Sequence, residues 1–98
     1  MYVSRAVRQR PTVFLAHINV SLKPTVNDPQ GIAIQQGLRS LGFQTVEKVR
    51  AGKRLEVHLQ ESDRAKAEAQ VDEMCQRLLA NTVIERYEFE LEEINATA

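Results

Sequence analysis

Two histidines, His17 and His58, stand in segments that alternate apolar with polar residues, FLAHINVSL and LEVHLQ. Paired imidazoles on neighbouring strands are the beginning of a metal centre, but such a centre needs a third and preferably a fourth ligand. Glu56 or Glu88 could supply one, yet no ligand-spacing motif accompanies them, so these histidines read as surface or interface residues and no metal site is assigned. Cys75 falls on the apolar stripe of a helical segment. A reactive thiol needs an electropositive, accessible setting, so Cys75 reads as a buried structural residue. The run Val49-Arg50-Ala51-Gly52-Lys53-Arg54 concentrates positive charge around a glycine that lets backbone approach closely, a setting that could hold an anion. It lacks the GxxxxGK[ST] frame of a phosphate-binding loop, which favours a solvated turn or a tip that docks on an acidic partner. At Leu78 to Glu85, Asn81 and Thr82 stand between two apolar runs, where capping of backbone groups accounts for both. No catalytic, cofactor-binding or metal residue is assigned.

The elements that would carry these residues follow from periodicity. Phe14, Ala16, Ile18, Val20 and Leu22 alternate with Val13, Leu15, His17, Asn19 and Ser21, which predicts a strand over 13–22 with the first set facing the core. Asp28 followed by Pro29 is a helix start, and Gly42 is a left-handed stop, so a first helix is expected from about 29 to 41. Gly37 inside it costs about 1 kcal/mol relative to alanine. A close helix–sheet or helix–partner approach would explain that cost. Residues 44–60 read as a β-hairpin. Val46 and Val49 lie in its first strand, Ala51-Gly52-Lys53 in its turn, and Leu55, Val57 and Leu59 in its second strand.

A second helix is expected over 61–80, with Ser62 as its N-cap and Asp63 near the positive end of its dipole. Ala67, Val71, Met74, Cys75, Leu78 and Leu79 form its apolar stripe, and Asn81 its stop. The last strand, 83–92, points Tyr87, Phe89 and Leu91 one way and Glu88, Glu90 and Glu92 the other. The order β-α-β-β-α-β predicts an α+β, ferredoxin-like domain: a four-stranded antiparallel sheet with two helices on one face. The open face would carry His17, Asn19, Glu56, His58, Glu88 and Glu90, with Val13 and Leu15 among them.

The chain has 98 residues, enough for one domain, expected over 12–94 with a tail at 95–98. Thirteen basic residues balance 13 acidic ones, which argues against a nucleic-acid partner. Arg5, Arg8 and Arg10 have no acid near them, whereas Glu85, Glu88, Glu90, Glu92 and Glu93 face only Arg86. Such asymmetry can orient association. Residues 1–11 contain no apolar h-region and read as a flexible basic leader rather than a secretory signal. No segment approaches the roughly 20 apolar residues of a membrane span. One cysteine allows no intrachain disulfide, which fits a cytoplasmic location.

Three blocks in order, DPQG (Asp28 to Gly31), VEKVRAGK (Val46 to Lys53) and MCQRLLANTVIERYEFE (Met74 to Glu90), resemble the PurS family, and the likeness extends over residues 13–92. That family supplies the small subunit of phosphoribosylformylglycinamidine (FGAM) synthase. The resemblance implies a non-catalytic subunit of a glutamine-dependent, ATP-consuming ligase in purine biosynthesis. It would form dimers or tetramers and bridge a glutaminase subunit to a large synthetase subunit. The large subunit would bind ATP and magnesium, and this chain no cofactor of its own. Matched position by position, Asp28, Pro29, Gln30 and Gly31 fall at the family's helix entry. Arg50, Gly52 and Lys53 fall at its hairpin. Asn81, Thr82, Val83, Ile84, Glu85 and Tyr87 fall at its second-helix exit and last strand. Partner contacts are expected at the hairpin and the last strand.

Three other classes compete. A dimeric small-molecule-binding regulatory domain of the same fold would carry a glycine-rich loop after the first strand, and Pro24 to Asp28 is not one. An acylphosphatase-type enzyme needs a loop arginine with a catalytic asparagine, which the loop from Lys23 to Asp28 does not offer in a phosphate-cradling pattern. An RNA-binding sheet needs exposed aromatics on central strands, and the chain has only three phenylalanines and two tyrosines.

Overall fold

The computed structural model describes residues 12–95. The expected leader, 1–11, and the last residues, 96–98, lie outside them. Asn95, assigned to the tail from sequence, is the last residue of a strand.

Strand β1 (Thr12–Leu22) occupies the centre of a three-stranded antiparallel sheet. It pairs with β2 (Gly52–Gln60) on one side and β3 (Glu85–Asn95) on the other. The register sets Ala16 between Val57 and Leu91, and Ile18 between Leu55 and Phe89. Apolar side chains therefore meet across both ladders on one face, as the alternation of β1 requires.

Helix α2 (Arg64–Met74) covers that face. Ala67, Val71 and Cys75 are fully buried with Phe14, Ala16, Ile18 and Val20. Complete burial of Phe14, Ile18, Val20 and Val71 contributes about 1.5–3 kcal/mol each. Arg64 closes one end, donating to the Leu91 carbonyl at 2.9 Å and lying 5.9 Å over the Phe14 ring. The N-cap is Asp63, whose carboxylate accepts from the Ala65 N–H at 2.9 Å, one residue beyond the expected Ser62. After Met74 the helix widens into a π-turn, Cys75–Leu79, closed by the Ala80 N–H on the Cys75 carbonyl at 2.9 Å. The wider turn rotates the side-chain phase. Leu79 stays half-buried while Leu78, expected in the core, is 83% exposed.

Helix α1 (Pro29–Ser40) matches its expected span. Its end is a Schellman motif: Phe43 N–H on the Leu38 carbonyl and Gly42 N–H on the Arg39 carbonyl, with Gly42 at φ 101°. Two expectations are corrected here, the placement of α1 and the helix–sheet approach at Gly37. Helix α1 does not lie beside α2 on the sheet; its only buried residue is Gly31, and Ile32, Ile34, Leu41 and Phe43 are exposed. Among the described residues no atom outside its own helix turn lies within 4 Å of a Cβ at Gly37, so this glycine serves no close approach to the sheet.

The fourth strand is also absent. Residues 44–51 form no strand, so there is no hairpin and the sheet has three strands among the described residues. The physical reason is that this segment's peptide groups are engaged elsewhere. Arg39 donates twice to the Val46 carbonyl, at 2.9 and 2.7 Å, and the Ala51 N–H donates to Asp28.

Candidate functional site

The residues singled out from sequence gather in two places. The first is the entry of α1 and the segment leading into β2. Asp28, 4% exposed, caps α1 with Oδ1 on the Gly31 N–H at 2.9 Å and takes the Ala51 N–H on Oδ2 at 2.8 Å. Its two backbone bonds, first to Gly31 and then to Ala51, hold its pKa below the ordinary value of 3.8, with the Arg50 guanidinium at 4.0 Å adding to the effect. A methyl at Gly31 would stand 2.2 Å from the Val49 carbonyl oxygen, so only glycine lets the helix entry press against this segment. Gly52 has the same role at the start of β2, where a Cβ would stand 2.6 Å from the Val20 carbonyl oxygen. Arg50 spans the gap to the end of β1, donating to the Lys23 carbonyl at 3.0 Å and the Val26 carbonyl at 3.2 Å. Gln30 and Lys53 are exposed at its rim.

The second place is the junction from α2 to β3. The Asn81 side chain accepts from the Val83 N–H at 3.1 Å. Its own N–H donates to the Glu85 carboxylate at 2.7 Å, and its carbonyl accepts from the N–H groups of Ile84 and Glu85. Two side chains thus close a tight turn, the role capping predicts. Tyr87 donates its hydroxyl to Asp72 at 2.6 Å, tying β3 to α2. That bond raises the Tyr87 pKa above 10.0. Thr82 is exposed.

The two places share one residue that the sequence did not flag. The Lys23 N–H donates to the Ile84 carbonyl at 2.8 Å, while the Lys23 carbonyl accepts from Arg50. The motif residues therefore build one continuous support at this end of the sheet.

The open face of the sheet carries the expected polar set. His17 Nδ1 accepts from Arg54 at 2.6 Å, so Nε2 bears the proton and donates to Glu92 at 2.9 Å. Arg54 also bonds Glu56 at 2.7 Å, which lowers the Glu56 pKa. Cys75 is buried, and burial followed by the charge of Asp72 pushes its thiol pKa up, away from thiolate chemistry. Among the described residues no group of three His, Cys, Asp or Glu side chains is placed to hold a metal ion.

The family model described as PurS, phosphoribosylformylglycinamidine (FGAM) synthase, matches residues 15–93. The chain belongs to the PurS family. A Synechocystis protein named phosphoribosylformylglycinamidine synthase subunit PurS is 53% identical over 76% of this chain and 74% of its own. Its Bacillus subtilis counterpart is 46% identical over 86% of this chain and 99% of its own. The B. subtilis PurS crystal structure superposes with a TM-score of 0.74 at 47% identity, covering 81% of this chain and 98% of that one. A chain of the Thermotoga maritima PurLQS structure superposes at 0.75 with 32% identity, covering 82% of this chain and 98% of that one. For a PurS chain, Asp28, Gly31, Gly52, Asn81 and Glu85 now have structural reasons for their residue types: each caps, closes or permits a backbone approach.

Proposed function

We propose that this chain is the small, non-catalytic subunit of FGAM synthase in purine biosynthesis, bridging the glutaminase and synthetase subunits. The observation that carries the reading is its family membership across residues 15–93, together with likeness to a chain of PurLQS from T. maritima. The site's geometry agrees with an adaptor, because its named side chains hold loops in place and leave apolar surface outward. Ile32, Ile34, Leu41 and Phe43 are all exposed on and just beyond α1, a surface that a monomer gains nothing by displaying. We assign them to association, including with a second copy in a dimer or tetramer, and assign partner contacts to the segment 50–53 and to β3. ATP and magnesium belong on this reading to the large subunit, and the complex to the cytoplasm. No helix of the described residues is long and apolar enough to cross a membrane.

The mechanism follows from the chemistry of ammonia. Free ammonia in neutral water takes up a proton and loses its nucleophilic lone pair. A protein that seals a glutaminase against a synthetase keeps the ammonia in a route from which bulk water is excluded. Such an adaptor needs shape, apolar contact and fixed loops. Reconstitution tests it: the purified large and glutaminase subunits are assayed with and without this chain, using glutamine or free ammonia as nitrogen donor. The glutamine-dependent reaction should require the chain and the chain alone should be inert. Unchanged glutamine-dependent activity in its absence would sink the reading.

A further inference from the structure

Where β1 leaves the sheet, a cavity of about 200 Å³ opens between Ser21, Lys48, Arg50 and Arg86, with apolar Leu22, Pro24 and Ala51 completing its wall. Among the described residues three that line it are cations and none is an acid. A water takes up about 30 Å³, so there is room for a tetrahedral oxyanion and a portion of whatever carries it. The cations arrive from separate regions of the chain. Arg86 is brought in by its cross-strand pairing with Ser21, whose hydroxyl adds a further donor. Lys48 and Arg50 come from the segment that Asp28 and Gly31 hold at Ala51 and Val49.

Among the described residues neither Lys48 nor Arg86 has a carboxylate partner. Arg50 faces Asp28 at 4.0 Å, and two of its N–H groups are held by the carbonyls of Lys23 and Val26. Its planar fork carries five N–H donors, so donors remain on both terminal nitrogens of a guanidinium already fixed in orientation. Like charges lining one concavity repel one another unless an anion joins them. Guanidinium forks and an ammonium ion match the oxygens of a phosphate group.

We propose that this cavity is a phosphate-binding site, taking inorganic phosphate or the phosphate end of a monoester, with Lys48, Arg86 and Ser21 as ligand contacts and Arg50 as the fixed base. The proposal goes beyond the adaptor role and does not depend on it. A concave pocket favours a small oxyanion over the flat surface of an acidic protein.

The test is calorimetric titration of the full chain, at low ionic strength, with inorganic phosphate and separately with methyl phosphate. The expected result is saturable binding of at least one probe. Binding should weaken roughly tenfold or more in Lys48→Ala and in Arg86→Ala, the loss expected for one charge-assisted hydrogen bond. Lys53→Ala removes a neighbouring charge outside the cavity and should change little. Arg50→Ala is avoided because Arg50 also ties two loops. If a variant fails to fold, amide chemical shifts of the unmodified chain serve instead, with phosphate-dependent shifts confined to residues 21, 48–51 and 86. No saturable binding of either probe, or binding unaltered in both variants, overturns the proposal. So does a loss limited to association with a protein subunit, which would give the cavity to a partner's acidic side chain.

Discussion

Gly31 lies so close to Val49 that a methyl group on its Cα would stand 2.2 Å from the Val49 carbonyl oxygen. That oxygen is backbone on a segment fixed by Asp28 and Arg50, so it cannot swing aside as a flexible side chain would. Gly31→Ala gains helix propensity, about 1 kcal/mol, but the overlap forces the backbone apart at about 1–3 kcal/mol or more. The clash should win, and urea unfolding should show a lower midpoint than the parent. Gly37→Ala is the control. Among the described residues nothing outside its own helix turn lies within 4 Å of its Cβ, so only the propensity gain remains, and the midpoint should rise.

Asp28 makes this arrangement acid-sensitive. Its folded pKa is below the ordinary carboxylate value of 3.8 because the charged form accepts the N–H groups of Gly31 and Ala51. Its contribution is therefore fully present above the unfolded pKa and is lost as pH falls through the folded one. Asp28→Asn should flatten that component of the stability profile below about pH 5, while Asp28→Ala should lower Tm by about 5–10 °C at neutral pH. Thermal melts of the three chains across that range check both statements. A profile that keeps its full acid slope in the asparagine variant would show that another carboxylate carries it.

Tyr87 makes the opposite linkage. Its hydroxyl donates to Asp72, which favours the neutral phenol and raises the pKa above 10.0. The stability from this bond is present below the unfolded pKa and is lost as pH rises through the higher folded value. The chain has two tyrosines, so the titration is read on a Tyr2→Phe background. Ultraviolet absorbance should show Tyr87 ionising late in that protein and earlier when Asp72→Asn is added.

The apolar surface near α1 separates folding from association. Leu41 is 76% exposed and Phe43 56%, so Leu41→Ser with Phe43→Ser should move folding stability by no more than about 0.5 kcal/mol each. If this surface joins copies of the chain, the same substitutions should shift light-scattering mass toward the monomer. An unchanged mass would remove α1 from the interface.

The central strand was legible because burial of one face writes a period of two: Phe14, Ala16, Ile18 and Val20 point inward as read. Helix α1 was legible at both ends, through Asp28-Pro29 and Gly42, since caps are local chemistry. The false hairpin arose because Val46 and Val49 look like strand residues, whereas their neighbourhood is set by Arg39, Asp28 and Gly31, contacts between residues 7 to 23 positions apart. No local pattern announces such contacts. Leu78 misled for a different reason: helical spacing assumes a constant rotation per residue, and the π-turn breaks it. At the site, resemblance pointed to Gly31, Gly52 and Asn81 without giving the reason for them. Arg86 was visible only as the one base in an acidic stretch, and Lys48 and Lys23 gave no sign of their contribution.

The π-turn at Cys75–Leu79 also determines where the chain can change length. A widened turn holds one residue more than an ordinary helix would need to cover the same distance. Removal of the outward-facing Leu78 would let a regular helix run on to Ala80, with β3 entering at its present register. The same deletion inside β1 would invert every side chain beyond it. In this chain a one-residue deletion should be silent to the sheet at that helix end and ruinous within β1.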